Sequence, residues 1–107
     1  ALKRRSLYHW IPFPDAERER AIIRAQAPGL DERSASRLVA AVHRIRGLAL
    51  LKRPGIAESI AWARGAQVLV REGSTWLEAA RRSVGLLVKH EEDLALVGRH
   101  AAEVFGD

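Results

Sequence analysis

Residues 31–47, DERSASRLVAAVHRIRG, contain the clearest helix signal in the chain. Apolar side chains recur there every three or four positions, a spacing that places them on one face of an α-helix. Asp31 stands where an N-cap is expected, and Gly47 stands where the helix should end. The apolar face consists of Ala35, Leu38, Val39, Val42 and Ile45. The stretch therefore predicts a helix that buries one face against neighbouring elements.

Similar signals flank this helix on both sides. Upstream, Asp15 is a candidate N-cap for a helix that ends near Ala27, just before a Pro-Gly pair. Downstream, the pattern predicts a third helix over residues 56–71, and Ser74 is the expected cap of a fourth. The apolar stripe resumes after residues 89–93. It predicts one long helix, or two helices joined by a kink near Gly85 or His90.

Residues 7–11, LYHWI, have a different character from the rest of the chain. They include aromatic and β-branched side chains, and the prolines of Pro12-Phe13-Pro14 would end the element that they form. This combination is typical of a short strand. No later segment provides a second strand for it to pair with. The predicted fold class is therefore all-α, a bundle of four to five helices preceded by one short orphan strand.

The composition restricts the class of protein. The chain has 107 residues, which is the length of one domain, and it contains neither Cys nor Met. Without cysteine it forms no disulfide and no thiolate metal site. Its apolar runs are far shorter than the roughly 20 residues of a membrane span, and no signal peptide is recognisable. Since Met is absent, we expect a processed chain or a fragment of a longer one.

The positive charge is concentrated in the first half of the chain. Lys and Arg number 18 and Asp and Glu 13 overall, but residues 1–53 hold 12 of those cations and only 5 of the acids. A basic half-domain suits a nucleic acid, an anionic surface or a phosphorylated ligand. Charge alone does not choose among these.

Four segments carry a resemblance to a known family. They are residues 1–11 (ALKRRSLYHWI), 25–29 (AQAPG), 51–63 (LKRPGIAESIAWA) and 86–93 (LLVKHEED). Together with the strand that lacks a partner, they resemble the end of an AAA+ ATPase core domain and the helical lid that follows it. The MoxR-type branch, in the group that includes the CbbQ and NirQ activators, is the most similar.

The resemblance implies a division of the chain and a role for each part. Residues 1–14 would be the end of the AAA+ core domain, with its arginine turn and last strand, and residues 15–107 would be the helical lid. The intact protein would bind ATP and Mg²⁺, assemble as a cytoplasmic ring, and activate partner proteins as a chaperone, with a von Willebrand factor A-type protein as a possible partner. This chain lacks the G-x-x-x-x-G-K-[ST] phosphate loop, so we expect no ATP hydrolysis by it alone.

The resemblance also implies two groups of site residues. Arg5, or its neighbour Arg4, would be an arginine finger that reaches the γ-phosphate held by an adjacent subunit, because a guanidinium neutralises charge on the transferred phosphoryl group.

A second group would contact nucleotide from the lid, in the region called sensor-2. Arg53, Lys52, Glu58 and Ser59 occupy that place. Many MoxR relatives carry Arg where this chain has Ser59, so Lys52, Arg53 or Arg64 would have to take over the usual contact, or Glu58 would take a polar role at the interface.

The alternative function is that of a small basic helical domain that binds nucleic acid. The arginines of the first two helices favour it, but they alternate with Glu17, Glu19 and Glu32 at spacings that predict surface ion pairs. The segment between the second and third helices is also too long and too apolar for the turn of a helix-turn-helix motif. We therefore expect neither nucleic acid nor a membrane as the partner. No metal site is expected either, because a zinc motif that starts at His90 would need a second histidine where Leu94 stands.

Overall fold

The computed structural model describes residues 13–106, and this part of the chain is helical. Its elements are α1 (Ala16–Gln26), α2 (Glu32–Arg46), α3 (Ile56–Arg71), α4 (Trp76–Ser83), a 3₁₀ turn (Val84–Leu86), α5 (Glu91–Arg99) and α6 (Ala101–Phe105). The all-α prediction is confirmed for the described residues, although six helices exceed the expected four to five. The orphan strand at residues 7–11 lies outside the described part, as do Arg4 and Arg5.

The first two helices begin where the capping signals predict. The Asp15 carboxylate accepts a hydrogen bond from the Arg18 N–H at 2.8 Å, and the Asp31 carboxylate accepts one from the Ser34 N–H at 2.7 Å. Each bond satisfies a backbone donor that the first helical turn leaves without a partner. The Ser34 bond also lowers the pKa of Asp31, because it stabilises the charged carboxylate.

The fourth helix begins one residue later than predicted. Thr75 is its N-cap, and the Thr75 hydroxyl accepts a hydrogen bond from the Glu78 N–H at 3.2 Å. A second hydrogen bond runs in the other direction, because the Glu78 carboxylate accepts the Thr75 N–H at 3.2 Å. This capping box needs a glutamate three residues after the cap. Ser74 has Leu77 at that position, so the prediction of Ser74 as the cap was wrong.

The C-terminal part is not one long helix. α4 gives way to the 3₁₀ turn at Val84, and Leu87 and Val88 then turn inward and are 2 % exposed. α5 starts after His90, with three acidic residues in its first turn, where they interact favourably with the helix dipole. The kink predicted near Gly85 or His90 is therefore a full break, and a second break follows at His100.

The core lies where the apolar faces of these helices meet. The five residues predicted for the buried face of α2 are each at most 1 % exposed. Trp62 of α3 is fully buried, and its indole N–H donates to the Ala80 carbonyl at 3.0 Å. The Phe105 ring meets the Trp62 ring edge-on, with 6.3 Å between their centres. Trp62 thus links α3, α4 and the end of the chain. No helix among residues 13–106 has the length and apolar character needed to cross a membrane.

Candidate functional site

The segment between α2 and α3, residues 47–55, is held in place by side chains from other helices. Asp93, in the first turn of α5, accepts the N–H of Leu51 at 2.8 Å and that of Lys52 at 3.2 Å. Asp93 is 2 % exposed, so these bonds are partly buried on the side of their acceptor. They fix the backbone at Lys52 against the start of α5.

The other end of the segment is fixed from α2. Arg46 donates from Nε to the Pro54 carbonyl at 2.8 Å. Its two terminal nitrogens donate to the two carboxylate oxygens of Glu19 on α1, both at 2.8 Å. Glu19 is fully buried and Arg46 is 7 % exposed. The prediction of Glu19 as part of a surface ion pair was therefore wrong, because its partner is in the core.

Glu58 and Ser59 complete the support at the start of α3. The Glu58 carboxylate accepts the Gly55 N–H at 2.8 Å, and the Ser59 hydroxyl donates to the Gly55 carbonyl at 3.2 Å. Ser59 is fully buried and lies 3.4 Å from Arg46 Nη2. It belongs to the buried network around Arg46.

The segment supported in this way forms one wall of a basic pocket of about 120 Å³. The pocket is lined by Lys52, Arg53, Pro54, Glu58, Leu87, Lys89 and His90. Three of these residues are permanent cations and one is an acid, and the carboxylate of that acid already accepts the Gly55 N–H. The charged ends are carried on a backbone that is fixed on both sides, so the pocket is suited to an anion.

The structure thus brings together three of the four residues predicted for nucleotide contact from the lid. Lys52, Arg53 and Glu58 line the pocket, whereas Ser59 is not one of its lining residues. Lys89 and His90 were missed as site residues, because their proximity to Lys52 depends on the break in the helix before α5.

Glu19 and Arg46 were also missed, although a signal for them exists in the sequence. Glu19 lies four residues before Ile23 and eight before Ala27, both fully buried, and Arg46 lies four residues after Val42. Both therefore lie on the apolar faces of their helices, and a charged side chain on such a face needs a buried partner.

Phe13 connects the start of the described chain to this network. The guanidinium carbon of Arg46 lies 4.3 Å from the centre of the Phe13 ring, a cation–π distance. Phe13 therefore lies beside the ion pair that holds Pro54.

Within residues 13–106, no three His, Asp or Glu side chains cluster as ligands for a metal ion. Comparisons with models of protein families, with curated proteins and with solved structures found no match to the chain.

Proposed function

We propose that the chain is the helical lid of a MoxR-type AAA+ ATPase and that its basic pocket faces the phosphates of ATP bound by the core domain. The single observation that carries the proposal is that Lys52, Arg53, Lys89 and His90 line one pocket, and that hydrogen bonds from Arg46 and Asp93 hold the segment that carries Lys52 and Arg53. Lysine and arginine are the side chains that neutralise phosphoryl oxygens in nucleotide sites.

The size of the pocket agrees with a partial contribution to a nucleotide site. Pockets that enclose a whole small-molecule ligand have volumes of roughly 300–1,000 Å³. At about 120 Å³, this pocket suits one or two phosphate groups. The base, the sugar and the Mg²⁺ would be held by the core domain, and Glu58 is assigned no metal contact because its carboxylate is bonded to Gly55.

The buried network around Arg46 would transmit movements of the core domain to the lid. The Phe13 ring lies against Arg46, and Arg46 holds the Pro54 carbonyl next to Arg53. A movement of the chain at Phe13 would therefore be passed to the pocket as a rigid-body movement of the lid. Such coupling suits a protein that closes over ATP, builds a ring with its neighbours and activates a partner protein.

The first test is the coding sequence directly upstream of residue 1. The proposal requires a phosphate loop and a strand that ends in an acidic Mg²⁺ ligand there. If both are absent, the lid assignment is wrong.

The second test measures ATP hydrolysis by the complete protein. Replacing Lys52 and Arg53 together by Ala is expected to lower kcat/KM for ATP at least tenfold, about 1.4 kcal/mol of lost transition-state stabilisation. Arg71→Ala, which removes an exposed arginine at the end of α3, is the matched control and should leave the rate unchanged. Equal activity of all three proteins would contradict the role of the pocket.

Calorimetry on the 107-residue chain alone supplies the third test. The lid holds only one side of the nucleotide, so we expect ATP to bind with a Kd of about 1 mM or weaker. Micromolar binding by this chain would show a complete nucleotide site and would overturn the proposal.

A further inference from the structure

His90 differs from the other charged residues of the basic pocket in how its charge depends on pH. The pocket is lined by Lys52, Arg53 and Lys89, and lysine and arginine side chains keep their charge throughout the neutral range. An imidazole gains or loses its charge between about pH 5 and pH 8. The number of positive charges around the pocket therefore changes with pH through one residue.

The ring of His90 is available to a ligand. Its side chain is exposed and has no hydrogen-bond or ion-pair partner among the described residues, because His90 caps α5 through its backbone alone. The two other histidines that the structure describes are each next to a carboxylate. His43 Nε2 lies 3.1 Å from Glu19, and His100 Nδ1 lies 3.3 Å from Glu103. A proton on His90 thus lacks the carboxylate that the other two rings have.

The cations that face His90 also lack partners. Lys52 and Arg53 line the pocket from the segment between α2 and α3, and Lys89 precedes His90 in the chain. Within residues 13–106, none of these three side chains makes a hydrogen bond or an ion pair. A protonated ring would therefore be a fourth positive charge in a group that has no bound anion of its own.

The acids near this histidine do not neutralise the group. Glu58, on the first turn of α3, lines the pocket, but its carboxylate accepts the Gly55 N–H at 2.8 Å. Asp93 is buried and accepts two backbone N–H groups of the segment before α3. Glu91 and Glu92 are exposed and are not among the residues that line the pocket. Carboxylic side chains of ordinary pKa also stay ionised above about pH 5, so they do not change charge together with the imidazole.

We propose that His90 makes the affinity of this pocket for a doubly charged phosphate group depend on pH. The inference rests on the proposed function, which takes the pocket as a phosphate site, and adds a regulation of that site. The protonated imidazole would donate a charge-assisted hydrogen bond to a phosphate oxygen, beside the contacts from Lys52 and Arg53. The neutral imidazole contributes no charge, and the pocket then binds the phosphate through its fixed cations alone.

The coupling is reciprocal, because a proton on His90 and an anion in the pocket attract each other. Its range is limited by the ligand, since a phosphate ester takes up a proton of its own near pH 6 and loses part of its charge. The regulation should therefore be strongest between about pH 6 and pH 7, where the imidazole gains its proton and the phosphate remains doubly charged.

The test uses sodium sulfate, which is tetrahedral like a phosphate group and stays doubly charged throughout this range. The 107-residue chain is titrated with it at about pH 8 and about pH 5.5, with sodium chloride added to keep the ionic strength constant. Binding is followed by the backbone amide NMR signals of Lys52, Arg53, Lys89 and His90. The Kd for sulfate should be about fivefold lower at the acidic pH, which is the effect of one added ion pair at an exposed site.

Three variants assign the pH dependence to one ring. His90→Gln should bind sulfate equally at both pH values, with the weaker affinity that the unmodified chain has at the higher one. His90→Lys carries a fixed charge and should bind with the tighter affinity at both. His100→Gln removes a histidine outside the pocket and should keep the fivefold change. His90→Gln should fold normally, because the His90 side chain is exposed and makes no cap hydrogen bond among the described residues.

A fourth variant separates this inference from the proposed function. Lys52→Ala with Arg53→Ala should lose sulfate binding at both pH values if the pocket is the anion site. If this variant binds sulfate as the unmodified chain does, the pocket is not that site, and both the inference and the proposed function lose their support. If it loses sulfate binding but His90→Gln keeps the fivefold change, the inference alone is wrong. Equal affinity of the unmodified chain at the two pH values, or no binding at about 100 mM sulfate, would also overturn the inference.

Discussion

Arg46 donates two hydrogen bonds of 2.8 Å to the carboxylate of Glu19, and this ion pair joins α2 to α1 inside the core. Arg46 also holds the Pro54 carbonyl and lies against the Phe13 ring. One side chain thus connects Phe13, the first helix and the segment that carries the basic pocket. His43 Nε2 lies 3.1 Å from the same Glu19 carboxylate, near the surface.

Removing one partner of this ion pair should destabilise the domain strongly. Glu19→Ala leaves the Arg46 charge buried without its carboxylate, and breaking such a pair typically costs about 3–5 kcal/mol. Chemical denaturation followed by circular dichroism should show this loss. Glu17→Ala, at an exposed position of the same helix, is the control and should change the free energy of unfolding by no more than about 0.5 kcal/mol.

The double variant Glu19→Leu with Arg46→Met tests the origin of that loss. If the penalty comes from an uncompensated buried charge, removing both charges should recover part of the stability of the single variant. A double variant less stable than Glu19→Ala would contradict this explanation.

The helices of the first half were predictable because their signals are local. Asp15 and Asp31 are side chains that bond to a backbone N–H three residues away, and α3 begins and ends at the residues expected from its pattern. The break before α5 was harder to predict, because the apolar stripe continues across it in near-helical register. The acidic run 91–93 marks the new N-terminus, but it also resembles a solvated face.

The site was predictable only in part, for a related reason. Lys52, Arg53 and Glu58 are near one another in sequence, so one segment brings them together. Lys89 and His90 join them through the fold, about 35 residues further on. The ion pair of Glu19 and Arg46 spans 27 positions, and periodicity shows only that each residue lies on a buried face.

The cap of α2 should make stability depend on pH in the acidic range. The Ser34 N–H lowers the pKa of Asp31 below the ordinary value of 3.8. A lowered carboxyl pKa means that the stabilisation is present above about pH 3.8 and is lost as the pH falls through the lower, folded-state value. Thermal melts between pH 5 and about pH 2 should therefore show a smaller loss for Asp31→Asn than for the unmodified chain.

Glu32→Gln is the matched control for this experiment. Glu32 is the exposed neighbour of Asp31, in the first turn of the same helix. If its melts show the same flattening with pH as those of Asp31→Asn, the effect belongs to net charge and the explanation through the cap fails.

Two glycines should respond to Ala in opposite directions. Gly73, between α3 and α4, has φ of +110°, a conformation that side chains with a Cβ rarely adopt. Gly73→Ala should therefore lower the free energy of unfolding by roughly 1–2 kcal/mol.

Gly98 lies within α5, and a Cβ added there meets no atom within 4 Å among the described residues. Gly98→Ala should raise stability by about 0.5–1 kcal/mol, because Ala is the better helix former. Denaturation of both variants under one set of conditions measures the contrast, and a shared sign would contradict it.

Asp93 should control the order of the segment that carries the pocket. Asp93→Ala removes the acceptor of the Leu51 and Lys52 N–H groups, and the loss of a hydrogen bond typically costs about 0.5–1.5 kcal/mol. Hydrogen exchange should speed up at these two amides by more than at the Trp62 amide in the core, because the segment would open locally. Glu92→Ala, an exposed acid in the same first turn, should leave both rates unchanged.

Asp93→Ala should also weaken the binding of anions to the pocket while the helix content stays constant. The variant releases the backbone at Lys52, so the cations of the pocket are no longer held together. If exchange at Leu51 and Lys52 accelerates only together with the whole domain, the segment is not an independent unit and Asp93 acts on global stability alone.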